Sequence, residues 1–221
     1  MARMNLQAKL NPASTALLVI DIQNDFCSPS GRMASIGKDV SGMNSMIEKI
    51  ERLAGVCEMA DVPVFYTQQV YDRSKLTDLQ KEQYDLDGKM VTCDVNSDGY
   101  TFYMLNPPAD RVFPKYTYNV FSNPDLSSEL SNQNIKTLII TGVSTQICVE
   151  TAIRNGFDIG YKIVVPRDLV ATTSKDPGTQ ERTLRLVEKT YGVVVDSSEI
   201  IGVLQTQRVL VGTVDMDLGE K

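Results

Sequence analysis

Short apolar runs that alternate with helical segments constrain the fold of this chain more than any other feature. Residues 16–20 are continuously apolar, which is typical of a strand covered on both faces. Further strand-like runs follow at 64–67, 112–116, 138–140, 161–165 and 193–195, the second of these interrupted by a proline. The alternation predicts an α/β fold, in which a parallel sheet carries helices on both faces.

The segments between these runs predict helices and one long loop. Residues 70–111 are polar and rich in turn residues, which is typical of a lid or binding loop. Residues 206–221 predict a frayed tail that includes an edge strand over 208–214. Helices are predicted over 39–60, from 122–126 onward, over about 149–155 with an end at Gly156, and over 178–191.

Composition predicts one domain over residues 1–221 and excludes several partners. The formal net charge of -6 argues against a nucleic-acid or anionic-membrane partner. No apolar run reaches transmembrane length, and the first residues lack the apolar core of a signal peptide, so we expect a cytoplasmic protein. No CxxC pair occurs among the cysteines, which indicates free thiols in a reducing compartment. The cysteines are Cys27, Cys57, Cys93 and Cys148.

The sequence contains no histidine. A Cys-His dyad, a Ser-His-Asp triad and a histidine metal site are therefore impossible. Any base that activates a cysteine must be Asp, Glu, Lys or Tyr.

Cys148 lies in the stretch Thr137–Glu150, where an apolar run ends at Gly142 and a helical pattern begins. A cysteine at such a strand-to-helix turn has helix N-terminal amides near its sulfur, and these favour the nucleophilic thiolate. The same amides can hold an oxyanion. Considered alone, Cys148 fits better as a small buried core residue, since free cysteine is often buried.

Two polar side chains follow predicted strands at the edge where ligands bind in open α/β sheets. Asp21 comes directly after the first strand, and Gln68 ends the second. Asp21 alternatively caps the next turn through backbone amides. Lys115, which ends a proline-interrupted strand, is by default a solvated surface residue.

Three blocks in this order and spacing resemble the isochorismatase-like cysteine hydrolase family, over about residues 16–198. They are Leu18–Phe26, Lys115 with Phe121 and Leu126, and Gly142–Val149. The resemblance implies a three-layer α/β/α sandwich with a mostly parallel, Rossmann-like sheet. It also implies a homodimer or homotetramer. Because the sequence contains no histidine, we expect no metal, and we expect no other cofactor.

The resemblance further implies a catalytic triad of Asp21, Lys115 and Cys148. Asp21 is expected to take the thiol proton and return it to a leaving amine, while Lys115 lowers the thiol pKa and orients Asp21. A cis peptide between Val143 and Ser144 is implied, which turns the Ser144 amide toward the Cys148 amide to form an oxyanion hole.

The implied reaction is hydrolysis of a C–N bond in a small amide or ureide through a thioester. Without histidine, the metal site of nicotinamidases in this family cannot exist, which argues against nicotinamide as the substrate. The spacing of the blocks and the long loop most resemble N-carbamoylsarcosine amidase, ureidoacrylate and biuret amidohydrolases. Alternatives are an isochorismatase-type ether hydrolase, a non-catalytic binding or scaffold member and, least favoured, a thiol redox protein.

Position along the chain also predicts which side chains surround the substrate. Residues that follow strand ends or trail Lys115 are the candidates, covered by the 70–111 loop. Amide side chains suit a neutral ureide because they both donate and accept hydrogen bonds. The predicted substrate-binding residues are Gln23, Asn24, Phe26, Gln68, Tyr118 and Phe121, with core packing as the alternative for the aromatic ones.

Overall fold

The computed structural model describes residues 6–86, 90–176 and 178–217, with side chains as far as Gln207. No helix in these ranges is long and apolar enough to cross a membrane.

A parallel sheet forms the centre of the molecule. Its spatial order is β3-β2-β1-β4-β5-β7, and the short β6 pairs with the end of β4. Each of these pairings is parallel. The strands are β1 (Thr15–Ile20), β2 (Val64–Gln69), β3 (Val112–Lys115), β4 (Thr137–Val143), β5 (Lys162–Pro166), β6 (Val170–Ala171) and β7 (Gly192–Val195).

Helices cover the sheet and connect its strands. Short π-helices, Thr145–Val149 and Val187–Tyr191, precede α7 and follow α8 respectively. The α-helices are α1 (Leu6–Lys9), α2 (Asn24–Cys27), α3 (Arg32–Ser35), α4 (Met43–Met59), α5 (Asp78–Asp85), α6 (Pro124–Asn132), α7 (Glu150–Asp158), α8 (Gly178–Leu186) and α9 (Ser197–Asp217).

The core consists of two apolar layers because successive side chains of β1 point to opposite faces of the sheet. Leu17 and Val19 pack in the layer under α4 and α9. Leu18 and Ile20 pack in the layer under α6, α7 and α8. Helices therefore lie on both faces, and the predicted three-layer α/β/α fold with a parallel sheet is confirmed.

The C-terminal prediction of an edge strand over 208–214 is wrong, because these residues continue α9. Ile200 and Leu204, one helical turn apart, are fully buried in the layer shared with α4. The packing of these two residues stabilises the helix, and the residues that follow continue it despite their β-propensity. The last part of the predicted tail, residues 218–221, lies outside the described residues.

Two helix boundaries also differ from the prediction. The helix predicted to end at Gly156 continues to Asp158. A Cβ at Gly156 would lie 3.2 Å from Ile163 Cδ1, so this glycine permits close packing of α7 on β5 rather than ending the helix. The helix predicted from Asp39 begins at Met43, after Gly42.

The 70–111 segment is not only a loop, because it contains α5. Thr77 and Gln80 form a capping box at the start of this helix, in which each side chain bonds the backbone of the other residue. This Thr-x-x-Gln pattern is visible in the sequence and could have identified the helix. Residues 87–89 of the same segment lie outside the described residues.

Candidate active site

The register of the sheet brings the ends of β1 and β4 together. Ile20 of β1 pairs with Gly142 of β4, so Asp21 and Val143 follow at the same edge. Gly142 has φ +108°, and a Cβ there would lie 2.1 Å from Ile20 O. Only glycine permits this close approach of the two strands. Asp21 itself leaves β1 in the left-handed region, with φ +55°.

Asp21, Lys115 and Cys148 meet at this edge. Lys115 Nζ lies 2.7 Å from Asp21 Oδ2, and neither side chain exposes any surface to solvent. The same Nζ donates to Cys148 Sγ at 3.4 Å. The ammonium therefore lies between a carboxylate and a thiol that come from different elements of the fold.

Neighbouring groups hold the carboxylate and the ammonium in place. Thr67 Oγ1 donates to Asp21 Oδ1 at 2.8 Å. Lys115 Nζ also donates to Gln69 Oε1 at 2.7 Å and to Thr117 O at 3.2 Å. Asp21 Oδ2 is ion-paired with Lys115 and accepts no further hydrogen bond from the described residues.

Burial and the neighbouring charges determine the protonation states of the lysine and the thiol. Burial lowers the pKa of Lys115, but the Asp21 carboxylate and the Cys148 sulfur outweigh it and hold this pKa above its ordinary value. Burial raises the pKa of Cys148 above its ordinary value, and Asp21 adds to this increase. Lys115 lowers the pKa of Cys148, as expected, but does not outweigh burial. The neutral thiol is therefore the favoured form of Cys148, and a base is needed to form the thiolate.

The backbone around Cys148 agrees with the local geometry that the sequence implied. The peptide bond between Val143 and Ser144 is cis. Ser144 precedes the π-helix Thr145–Val149, which contains Cys148 and leads into α7. Cys148 thus lies at the N-terminal end of a helical segment that directly follows a strand.

Cys148 opens onto a cavity of about 390 Å³. The described residues that line it include no aspartate or glutamate, and Lys38 is a cation among them. The lining is largely apolar, with a few amide and hydroxyl groups. It consists of Phe26, Met33, Ile36, Lys38, Gln69, Tyr84, Met90, Thr92, Tyr118, Val143, Ser144, Gln146, Ile147, Cys148, Thr173 and Ser174.

Comparison with known proteins identifies the family. The isochorismatase domain model matches residues 15–199. The chain belongs to the isochorismatase family.

Relatives within the isochorismatase family cover most of this chain. The ureidoacrylate amidohydrolase RutB of Methylobacterium radiotolerans is 32% identical over 203 residues, which are 85% of this chain and 78% of that protein. RutB of Pseudomonas syringae pv. syringae is 28% identical over 206 residues, 84% of this chain and 82% of that protein. The crystal structure of a cysteine hydrolase from Pseudomonas syringae pv. phaseolicola has a TM-score of 0.78 at 24% identity, covering 93% of this chain and 99% of that chain.

Two of the predicted substrate-binding residues, Phe26 and Tyr118, line the cavity of this isochorismatase-family chain. Phe121 does not. It stacks on Tyr161, with the ring centroids 6.0 Å apart, and packs against the apolar layer under α7. Phe121 is therefore a core residue, which is the alternative that the sequence analysis gave for it.

The structure does not bring the predicted amides Gln23, Asn24 and Gln68 to the cavity either. Each donates a side-chain hydrogen bond to the 98–101 segment of the long connection: Gln23 Nε2 and Gln68 Nε2 to Tyr100 O, and Asn24 Nδ2 to Asp98 O. These amides therefore anchor the segment to the ends of β1 and β2. They do not line the cavity with Cys148, although the sequence had led us to expect it.

Sequence reasoning missed Gln69, an amide that lines the cavity and accepts a hydrogen bond from Lys115. Gln69 and Gln68 are adjacent in β2, and adjacent strand residues point to opposite faces. The pairing of Gln69 with Lys115 in the β2–β3 register would have identified it, but that register is not visible in the sequence.

The other three cysteines lie outside the cavity lining and are buried free thiols. Burial raises the pKa of both Cys27 and Cys57 to about 12. It also raises the pKa of Cys93. Burial raises the pKa of Cys148 as well, so Cys148 differs from these thiols not in its pKa but in the adjoining Lys115–Asp21 ion pair and in the cavity that it lines.

Proposed function

We propose that this protein is a cysteine-dependent hydrolase that cleaves a C–N bond in a small amide or ureide through a thioester. The observation that carries the proposal is the position of the Lys115 ammonium, 2.7 Å from Asp21 and 3.4 Å from Cys148, beside a cavity that Cys148 lines. A nucleophile, a base and a fixed positive charge are thereby held together in a site without histidine.

In the first step, Asp21 Oδ2 takes the proton of the Cys148 thiol as the sulfur attacks the substrate carbonyl carbon. The raised pKa of Cys148 makes this transfer necessary, because little thiolate exists beforehand. Lys115 remains an ammonium and stabilises the negative charge as it moves from the carboxylate to the sulfur and on to the substrate.

In the second step, the C–N bond breaks and Asp21 returns its proton to the leaving nitrogen. Ammonia or an amine departs, and a thioester with Cys148 remains. Water then gives a proton to Asp21 and attacks the thioester carbonyl. Collapse of this second intermediate releases the acid product, and the sulfur recovers its proton.

The oxyanion that forms in each step needs hydrogen-bond donors. We assign this role to the backbone amides of Ser144 and Cys148, which flank the turn between β4 and the helical segment. Ser144 and Cys148 both line the cavity, which supports the assignment.

The relatives support the class of substrate. The proteins similar to this chain are named ureidoacrylate amidohydrolases, and they agree with the predicted enzyme class of hydrolases acting on non-peptide C–N bonds. Ureidoacrylate combines a ureide with a carboxylate. Lys38 gives the cavity a cation suited to such a carboxylate, and no aspartate or glutamate among the described lining residues would repel it.

An ammonia-release screen over small amides and ureides tests the proposal. We expect the wild-type protein to release ammonia from at least one ureide, and Cys148→Ala to release none. The proposal fails if no amide or ureide is hydrolysed, or if Cys148→Ala keeps the wild-type rate. Trapping of an acyl group on Cys148, detected by mass spectrometry, would test the thioester directly.

A further inference from the structure

Gln69, at the end of β2, has a side-chain amide whose orientation is fixed by its neighbour. Lys115 Nζ donates to Gln69 Oε1 at 2.7 Å. An ammonium is only a donor, so the atom that faces it must be the amide oxygen and not the nitrogen. The Gln69 Nε2 group is therefore turned away from Lys115.

The backbone of Gln69 is held as firmly as its side chain. Gln23 Nε2 donates to Gln69 O at 2.9 Å, and Gln69 N donates to Gln23 Oε1 at 2.8 Å. Gln23 Nε2 also donates to Tyr100 O at 2.7 Å. This reciprocal pair holds both backbone groups of Gln69, so the amide is positioned before any ligand arrives.

The Gln69 Nε2 group is the part of this arrangement that has no partner in the described part of the chain. Its Oε1 and both its backbone groups are engaged, whereas no described acceptor receives a bond from Nε2. Gln69 lines the same cavity as Cys148. A ligand oxygen at this point would gain a hydrogen bond without any rearrangement of the protein.

We propose that Gln69 Nε2 is a fixed hydrogen-bond donor that selects substrates with a second acceptor oxygen, beyond the carbonyl that Cys148 attacks. The inference rests on the proposed function and narrows it to amides and ureides that carry a further carbonyl or carboxylate. Gln69 cannot turn its oxygen to the cavity without losing the bond from Lys115. A substrate that offers a donor at this point is therefore disfavoured.

Protection of Cys148 from iodoacetamide by small ligands tests this proposal and does not require turnover. Biuret carries two carbonyl groups, and N-ethylurea, of similar size, carries one. We expect the wild-type protein to bind biuret more tightly than N-ethylurea by about 3–10-fold, the effect of one hydrogen bond. Alkylation of Cys148 is followed by peptide mass spectrometry.

Two variants of Gln69 separate its donor from its acceptor. Gln69→Glu keeps an oxygen facing Lys115 and removes the donor, whereas Gln69→Met has a similar length and removes both. We expect the preference for biuret to fall to about 1 in each variant. Gln68→Met is the matched control, since Gln68 is the neighbour that bonds Tyr100 O, and it should keep the wild-type preference.

The proposal is overturned if both variants keep the preference, if the wild-type protein has none, or if neither ligand protects Cys148. Thermal unfolding of each variant verifies that it is folded. If only one of the two variants folds, that variant alone is enough to test the proposal. Ammonia release from the same two ligands tests the proposed function separately. A wild-type protein that shows the preference but releases no ammonia would refute hydrolysis of these ureides and leave the role of Gln69 supported.

Discussion

The Lys115 ammonium and the Asp21 carboxylate form an ion pair of 2.7 Å from which solvent is completely excluded. Each charge is tolerated in the interior because the other is present, and the hydrogen bonds from Thr67 and to Gln69 complete their solvation. The pair therefore contributes both to the proposed chemistry and to the integrity of the fold.

We predict that Lys115→Met lowers the free energy of unfolding by about 3–5 kcal/mol, because it leaves the Asp21 carboxylate buried without its partner. The double variant Asp21→Asn/Lys115→Met should lose less than the sum of the two single variants. Urea denaturation measures all three. Lys81→Met removes the exposed ion pair with Asp78 and should change stability by no more than about 1 kcal/mol. Strict additivity of the two single variants would contradict the coupling.

The three residues of the cluster should behave as one catalytic unit. We expect Cys148→Ala and Asp21→Asn each to abolish turnover, and the double variant to be no worse than either, because loss of the base and loss of the nucleophile stop the same step. Steady-state kinetics on the best ureide of the screen measures this. Near-normal kcat in Asp21→Asn would show that another group takes the thiol proton.

Lys38 should discriminate between charged and neutral substrates. We predict that Lys38→Met lowers kcat/KM for a carboxylate-bearing ureide by about 10-fold, mainly through KM, and leaves a neutral ureide unaffected. Lys49→Met is the matched control, because Lys49 pairs with Asp168 and does not line the cavity. Equal losses on both substrates would argue that Lys38 supports the fold of the cavity rather than recognising charge.

Stability should fall in alkaline solution. The buried thiols of Cys27 and Cys57 have their pKa raised from 9.0 to about 12, whereas the unfolded thiols ionise at the ordinary value. The unfolded state therefore loses protons first, so the stabilisation is complete below pH 9 and is lost as the pH rises toward 12. Lys115, whose pKa is raised above 10.5, acts in the same direction at higher pH.

Urea midpoints across this pH range measure the effect. Cys57→Ala should show a shallower alkaline loss than the wild-type protein, because it removes one titrating group. Met46→Leu, a buried change in the same helix with no titrating group, should keep the wild-type slope. A stability that is constant up to pH 12 would contradict the raised pKa values.

Metal removal should leave hydrolysis unchanged. Within the described ranges, no three histidine, cysteine, aspartate or glutamate side chains converge in a group that could hold a metal ion. The proposed mechanism assigns the stabilisation of charge to Lys115 and to backbone amides instead. Activity after exhaustive dialysis against a chelator provides the test, and activity lost to the chelator and restored by zinc or iron would refute the mechanism.

The sequence predicted the layers of the fold and the three residues that meet at the sheet edge. It could not decide between Gln68 and Gln69, because β2 ends with one amide on each face and its pattern does not reveal which of the two points to the site. A shift of one residue moves every side chain to the other face. The amides of Gln23 and Asn24 were misplaced for a related reason, since their partners at Tyr100 and Asp98 are distant in sequence.

The complete burial of Lys115 has a practical consequence for attachment chemistry. The other described lysines are at least partly exposed. Reagents that label or immobilise proteins through surface amines will therefore react elsewhere on the native molecule and leave the ammonium beside Cys148 untouched. Lys38 is one of the exposed lysines and lines the cavity. A bulky label on Lys38 would obstruct entry of a substrate without altering the cluster of Asp21, Lys115 and Cys148.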